Sequence, residues 1–236
     1  MNAKGTPVGR RVILGMLGLG TAGAAFGSRI QDGLDSALST VGSEDPTGVT
    51  GLLPGKGGFR FYNVADSIPH RSEADYRLTV SGLVGEKASY TLADLRRMPQ
   101  TRLVRDVQCV TGWRVDRTPW QGVRLSHLLD LADVRHEATA VRFSCFDGAY
   151  TESLTLSQAR RDDVLVALRM DGRPVTAAHG GPVRLYVAPM YFYKSAKWLS
   201  GIELTGKVEP GYWERYGYDV DAWVGKSNGR SDDPTS

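Results

Sequence analysis

The stretch that decides the reading is RDVQCVTGWRVDRTPWQGVRL, Arg105 to Leu125. It holds one of only two cysteines in the chain, Cys109, set between apolar residues and followed by two tryptophans. Cys109 has four readings: a small buried hydrophobe, half of a disulfide, a nucleophile or a metal ligand. The segment TRLVRDVQCV that carries it is predicted as a strand. Outward from it, similar short segments recur. YRLTVSGLV (Tyr76 to Val84) alternates apolar and polar residues as a half-buried strand does. TLADLRRMP (Thr91 to Pro99) reads as a short helix with Thr91 as N-cap and Pro99 as stop. Arg124 to Ala132 is again helical, Thr139 to Phe146 alternates as a strand, and TLSQARRDD is a helical turn. VLVALRM, GPVRLYVAP and KWLSGIELTG supply further strands.

Many short strands separated by brief helices and Gly or Pro turns define an α+β, β-rich mixed domain with short helices. The βαβ rhythm of a dinucleotide-binding sheet is missing, as are G-x-G-x-x-G and Walker loops, so nucleotide cofactors are not supported. The chain has 236 residues, 41% hydrophobic and 23% charged, ample for a sizeable core. A net charge of +3, with no run of basic residues interleaved with aromatics, argues against nucleic acid as a partner. No uninterrupted apolar stretch is long enough for an internal membrane span.

Four segments follow from composition. Residues 1–30 include GRRVILGMLGLGTAGAAFGS, where Arg10 and Arg11 precede a short Gly- and Ala-rich apolar run. Twin arginines before a weakly hydrophobic segment resemble a Tat export signal. A periplasmic or extracytoplasmic location is therefore expected, with membrane association if the segment is retained. Residues 31–58 read as a flexible linker, 59–206 as the folded domain and 207–236 as a tail with the aromatic run GYWERYGYDVDAWVG. That tail is either a strap over the domain or a docking surface for a redox partner.

A disulfide between Cys109 and Cys145 is conceivable in an exported protein. A nucleophilic thiol needs a base, and His70, His127, His136 and His179 cannot be placed beside Cys109 from spacing. Neither C-x-x-C nor H-E-x-x-H occurs, so a zinc site is unsupported. A second cluster, HGGPVRLYVAPMYFYKSAKWL (His179 to Leu199), gathers His179, Arg184, Lys194 and Lys197 around glycine-rich backbone. Arg suits bidentate phosphate contacts, so this unit describes an anion pocket.

In this order and spacing, VRDVQCVTGW, FDGAYTESLTL and HGGPVRLYVAPMYFYKSAKWL resemble the molybdopterin domain of the sulfite oxidase family, from about Phe59 to Thr205. The length and twin-arginine start are similar to its short bacterial branch, which includes periplasmic protein-methionine-sulfoxide reductases. The resemblance implies the sulfite-oxidase-type fold and one molybdenum-molybdopterin cofactor per chain, with Cys109 as thiolate ligand of the metal. It places His179 and Arg184 at the pterin–phosphate end, with Ser195, Ala196 and Lys197 finishing that grip. Ser195 and Ala196 would act there through backbone groups. Arg60, Tyr62 and Asn63, in FRFYN, match further cofactor contacts. Cys145 falls where the reductase branch has a threonine near the metal, either as a neighbouring thiol or a small core residue. Tyr150 matches a tyrosine that donates a hydrogen bond to substrate. Lys194 stands where sulfite oxidases carry an arginine for sulfite. The reaction implied is oxygen-atom transfer on an S-oxide or similar small oxo substrate. A membrane cytochrome or quinone-linked carrier would exchange the electrons, and the chain is expected to be a monomer. An anion-binding module without catalysis and a thiol-dependent enzyme remain as alternatives.

Overall fold

A computed structural model describes residue 59, residues 63–65 and residues 67–226. The expected export signal and linker lie outside the described residues. The first strand, β1 (Arg77–Gly82), buries Leu78 and Val80 and turns Arg77 and Thr79 outward, the alternation the sequence predicts. A short strand, β2 (Ala88–Thr91), leads into helix α1 (Leu92–Arg97). Thr91 caps that helix in a reciprocal box: its hydroxyl accepts from the Asp94 N–H, and the Asp94 carboxylate accepts from the Thr91 N–H.

Next come β3 (Thr101–Gln108), β4 (Arg114–Arg124), helix α2 (Leu125–Leu131), β5 (Ala140–Cys145) and β6 (Thr151–Thr155). Helix α3 (Leu156–Ala159), β7 (Val164–Met170), β8 (Arg173–Pro174), β9 (Arg184–Val187) and β10 (Leu199–Thr205) complete the order.

These strands form two five-stranded sheets. One runs β2-β1-β10-β5-β6, with β1 and β10 parallel and the remaining pairs antiparallel. The other runs β3-β4-β7-β8, with β9 also hydrogen-bonded to β7. β7 (VLVALRM) buries its first five residues in succession, as a strand covered on both faces must. Trp120, Leu125, Leu128, Phe143 and Leu165 are fully buried in the shared core. Each large apolar side chain so buried contributes about 1.5–3 kcal/mol.

The longest strand, β4, is not among those read from the sequence, and it contains Pro119 and Gly122. Pro119 sits just before the point where β7 joins β4, at Trp120 opposite Met170. Its lack of an N–H therefore costs no bond to a second neighbour. A register shift at Gln121–Gly122 lets the backbone press on β7, since a Cβ on Gly122 would meet the Val166 carbonyl at 2.1 Å.

The residues after Thr205 continue onto the same body. Tyr212 N–H donates to Thr151 C=O (2.9 Å), Tyr191 N–H to Ala222 C=O (2.8 Å), and Val224 N–H to Pro189 C=O (3.2 Å). Through residue 226 the tail is a strap laced to β6 and to the loop after β9.

Candidate functional site

Cys109 follows directly on β3 and opens a tight turn into β4. Its N–H donates to Trp113 C=O (2.9 Å), and Gly112 N–H donates back to its carbonyl (2.9 Å). The Thr111 hydroxyl lies 3.2 Å from the sulfur. One step back, buried Asp106 pairs with Arg114 and accepts the Arg117 N–H at 2.8 Å, bracing the hairpin. Burial opposes the charge on Asp106, but the bonds from Arg117 and Arg114 outweigh it and hold the carboxyl below its usual range. The sulfur is thus presented from a fixed turn, 9% exposed. Cys109 and Cys145 are both buried and not joined to each other, so the disulfide alternative is not realised.

Rings connect this turn to the anion cluster. Phe59 packs edge-on against Trp113 (6.2 Å), Trp120 (6.3 Å) and His179 (5.3 Å), and Phe192 lies against both Trp113 and Trp120. Under this cage lies Arg184, 2% exposed. Its guanidinium donates to His179 C=O (2.7 Å) and Ser195 C=O (2.6 Å) and stacks over Phe192 (4.2 Å) and Trp120 (5.4 Å). Carbonyls and ring faces thus hold a buried cation. Burial lowers the pKa of Arg184 to about 9.

Lys197 enters from the facing loop. A Cβ on Gly180, whose φ is +96°, would meet Lys197 Cβ at 2.6 Å, so the glycine permits the approach of loop and lysine. The ammonium lies 4.3 Å above the Trp198 ring. Burial first, then the Arg184 charge, brings the Lys197 pKa down to about 7. The same two causes and Lys197 itself keep His179 below its ordinary value, and its Nδ1 is 3.0 Å from the Thr176 hydroxyl. A buried guanidinium beside a partly buried lysine favours an anion, which would draw the lysine into its charged form.

Cys145, at the end of β5, belongs to this neighbourhood. Burial pushes its thiol well up, Asp147 and Glu152 push further, and Arg184 and Lys197 pull back. Tyr150 is half-buried beside it, and its hydroxyl donates to Tyr193 C=O at 2.5 Å. The structure therefore brings Cys109, Cys145, Tyr150, His179, Arg184 and Lys197 to one region.

Other expected contacts have different settings. Lys194 was expected to face a substrate oxygen, yet its side chain is fully buried. Its ammonium is gripped by Glu152 (2.6 Å) and by Glu214, both carboxylates fully buried too. Ser195 and Ala196 were expected to offer backbone groups outward. Their N–H groups donate to Phe192 C=O (3.0 Å) and Lys194 C=O (3.2 Å), and Ala196 C=O accepts from Leu185 N–H (2.9 Å). Ser195 Oγ accepts the Val187 N–H at 2.9 Å while its carbonyl holds Arg184, so this residue positions the guanidinium. Asn63 closes a local turn, accepting from Ala65 N–H (3.0 Å) and donating to Ser67 C=O (2.7 Å). Arg60 and Tyr62 lie outside the described residues.

Sequence reasoning missed Glu152, Glu214, Phe59, Trp113 and Asp147. Asp147 accepts the Ala149 and Tyr150 N–H groups (3.1 and 3.0 Å) and so shapes the loop beside Cys145. The polar neighbours of Glu152 in TESLT give no sign of its burial.

Among the described residues, no three His, Cys, Asp or Glu side chains converge as a metal ligand set. The region offers one sulfur and a pair of buried basic side chains among aromatic rings. Gln108 Oε1 and Trp113 Nε1, flanking Cys109, are buried without a hydrogen-bond partner among the described residues. Such orphans call for a ligand with polar edges. A metal carried by an organic, phosphate-bearing chelate meets all three features: soft donor, orphaned polar atoms and buried cations.

The chain belongs to the family described as oxidoreductase molybdopterin binding domain, whose pattern matches residues 65–213. It is 37% identical over 173 residues to "Uncharacterized oxidoreductase YuiH" of Bacillus subtilis, covering 68% of this chain and 86% of that protein. It is 33% identical over 169 residues to "Putative protein-methionine-sulfoxide reductase subunit YedZ1" of Azospira oryzae, covering 72% of this chain and 63% of that one. The sulfane dehydrogenase SoxCD of Paracoccus pantotrophus shares the fold with a TM-score of 0.57 at 25% identity, over 60% of this chain and 41% of that chain. The β-rich mixed architecture is thus the sulfite-oxidase type, and the protein is an oxidoreductase of this class.

Proposed function

We propose that this chain is an exported molybdopterin oxidoreductase that moves an oxygen atom to or from a small sulfur compound, with an S-oxide as its preferred substrate. The observation that carries the reading is the convergence of the Cys109 turn with Arg184 and Lys197 through Phe59, Trp113 and Phe192. Cys109 would hold the metal, Arg184 and Lys197 would neutralise the chelate's phosphate, and the Trp113 N–H and Gln108 carbonyl would bond its polar edge. The bound group supplies two-electron oxygen-atom transfer chemistry. Reduction of an S-oxide then consumes two electrons and two protons and releases the sulfide and one water.

The setting of Lys194 supports an uncharged S-oxide over sulfite. It is buried and taken up by Glu214 and Glu152, so this position offers no cation to an anionic substrate. Export rests on Arg10 and Arg11 with the weakly apolar run after them. A one-electron carrier at the membrane would supply the electrons. The test is metal and pterin analysis of protein from a cofactor-competent host, then turnover of S-oxides, N-oxides and sulfite with artificial redox dyes. Molybdenum with S-oxide turnover is expected; protein that takes up neither metal nor pterin overturns the reading.

The Lys197 environment sets a pH signature. With a folded pKa near 7 against an ordinary 10.5, Lys197 of the apoprotein must take up a proton when an anion binds above pH 7. Sulfate, which does not titrate in this range, should bind apoprotein more weakly as pH rises from 7 to 9. One linked proton gives up to about tenfold per pH unit. Calorimetry should show this slope and its loss in Lys197→Met.

A further inference from the structure

We infer that the aromatic strap after β10 is the face through which electrons reach the site, and that its partner is a one-electron carrier protein docking around Tyr216. The inference rests on the proposed function, since an oxygen-atom transferase needs an external carrier. Three observations lead to it.

First, the strap carries an aromatic patch that solvent reaches. Tyr216 is 69% exposed and Val220 40% exposed, and Tyr212, Trp213 and Tyr218 are half-buried around them. Tyr and Trp supply large contact area at low entropic cost and are enriched at protein interfaces. Second, the patch is continuous with the site. Tyr150 stacks on Tyr212 (5.8 Å, 25° between planes), and Tyr212 packs on Tyr216 (5.3 Å). A second branch runs from Tyr193, whose carbonyl receives the Tyr150 hydroxyl, through Tyr218 (5.5 Å) to Trp213 (5.5 Å). Tyr150 in turn lies within the electrostatic reach of Arg184 and Cys145.

Third, the patch is held rigid from below. Glu214 is clamped by Lys194, and the Tyr193 hydroxyl donates to Asp219 C=O at 2.5 Å. A preformed surface loses little entropy on docking. The patch is thus a preformed docking platform at the outer end of an aromatic line that leads to Tyr150. Each docking event passes one electron, the carrier being oxidised by one; two events supply the pair that S-oxide reduction consumes.

The test uses the cofactor-loaded protein and a ruthenium polypyridyl photoreductant attached to a surface cysteine. Cys109 and Cys145 are buried, so Tyr216→Cys is labelled selectively. Leu131→Cys serves as the comparison: Leu131 is 48% exposed on α2, which carries no Phe, Tyr or Trp. The readout is the flash-induced appearance of the one-electron-reduced metal signal. Injection from position 216 should be faster than from 131 by an order of magnitude, and Tyr212→Leu should bring the rate from 216 down toward that from 131. Equal rates from both positions, with dithionite still reducing the centre, overturn the inference alone. Failure of dithionite to reduce any centre overturns the proposed function instead.

Discussion

Cys109→Ser should fold with an unchanged melting temperature and yet lose turnover. A hydroxyl has nearly the shape of the thiol, can still accept from the Thr111 hydroxyl, and fits a turn closed by the backbone bonds Cys109 N–H to Trp113 C=O and Gly112 N–H to Cys109 C=O. What disappears is the soft donor, and oxygen is a poor substitute for a metal that selects thiolate. Even partners behind a metal ligand cost about 10–100-fold when removed, so loss of the ligand itself should exceed about 100-fold. Turnover assays with pterin quantification check this. Pterin should be retained in part, because Arg184 and Lys197 still hold the anionic end. A Cys109→Ser variant with parental turnover would remove the ligand assignment.

The second large effect concerns stability. Lys194→Met should destabilise the fold by about 3–5 kcal/mol, the cost of removing one partner from a buried ion cluster. The ammonium sits between Glu152 and Glu214, all three side chains fully buried, and Glu152 Oε2 already lacks a partner. Thermal or urea unfolding measures the loss. A variant within 1 kcal/mol of the parent (about 2–4 °C in Tm for a chain of this size) would show that the cluster contributes little. The cluster also sets a pH dependence. Burial, and then the Glu214 charge, push the Glu152 carboxyl up, against the pull of Lys194. Folding therefore takes up a proton at Glu152. Its contribution is fully present below the ordinary carboxyl value of 4.5, falls as pH rises above that value and is lost once pH has passed the raised folded value. Glu152→Gln, which cannot ionise, should flatten the decline between those two values.

Much of the frame was legible in the chain because its signals are local. Thr91 and Asp94 announce their helix within four residues, and the alternation of Arg77–Gly82 follows from which side chains meet the core. β4 escaped because Pro119 argues against a strand until its neighbours are known. Only the sheet order shows that β7 joins beyond that point. Lys194 shows the same limit at the site. A lysine beside an anion pocket reads as a ligand for anions, yet its partners lie 42 and 20 residues away in sequence. Spacing cannot reveal which charges become neighbours once three separate elements close over them. Phe59 and Trp113 were hidden for a related reason, since an aromatic wall is defined by rings from distant segments. Cys109, Arg184 and Lys197 could be named because the short motifs that carry them resemble those of a known family.

The parallel pairing of β1 with β10 has a consequence for biosynthesis. Thr79 bonds in register with Gly201 and Val80 with Ile202, so the first strand of its sheet waits for the last. A chain emerging from the ribosome can form its hairpins early, but the central seam of that sheet stays open until β10 has been made. Such long-range closure is slow. A half-made chain would leave two unpaired edges available to chaperones or to aggregation.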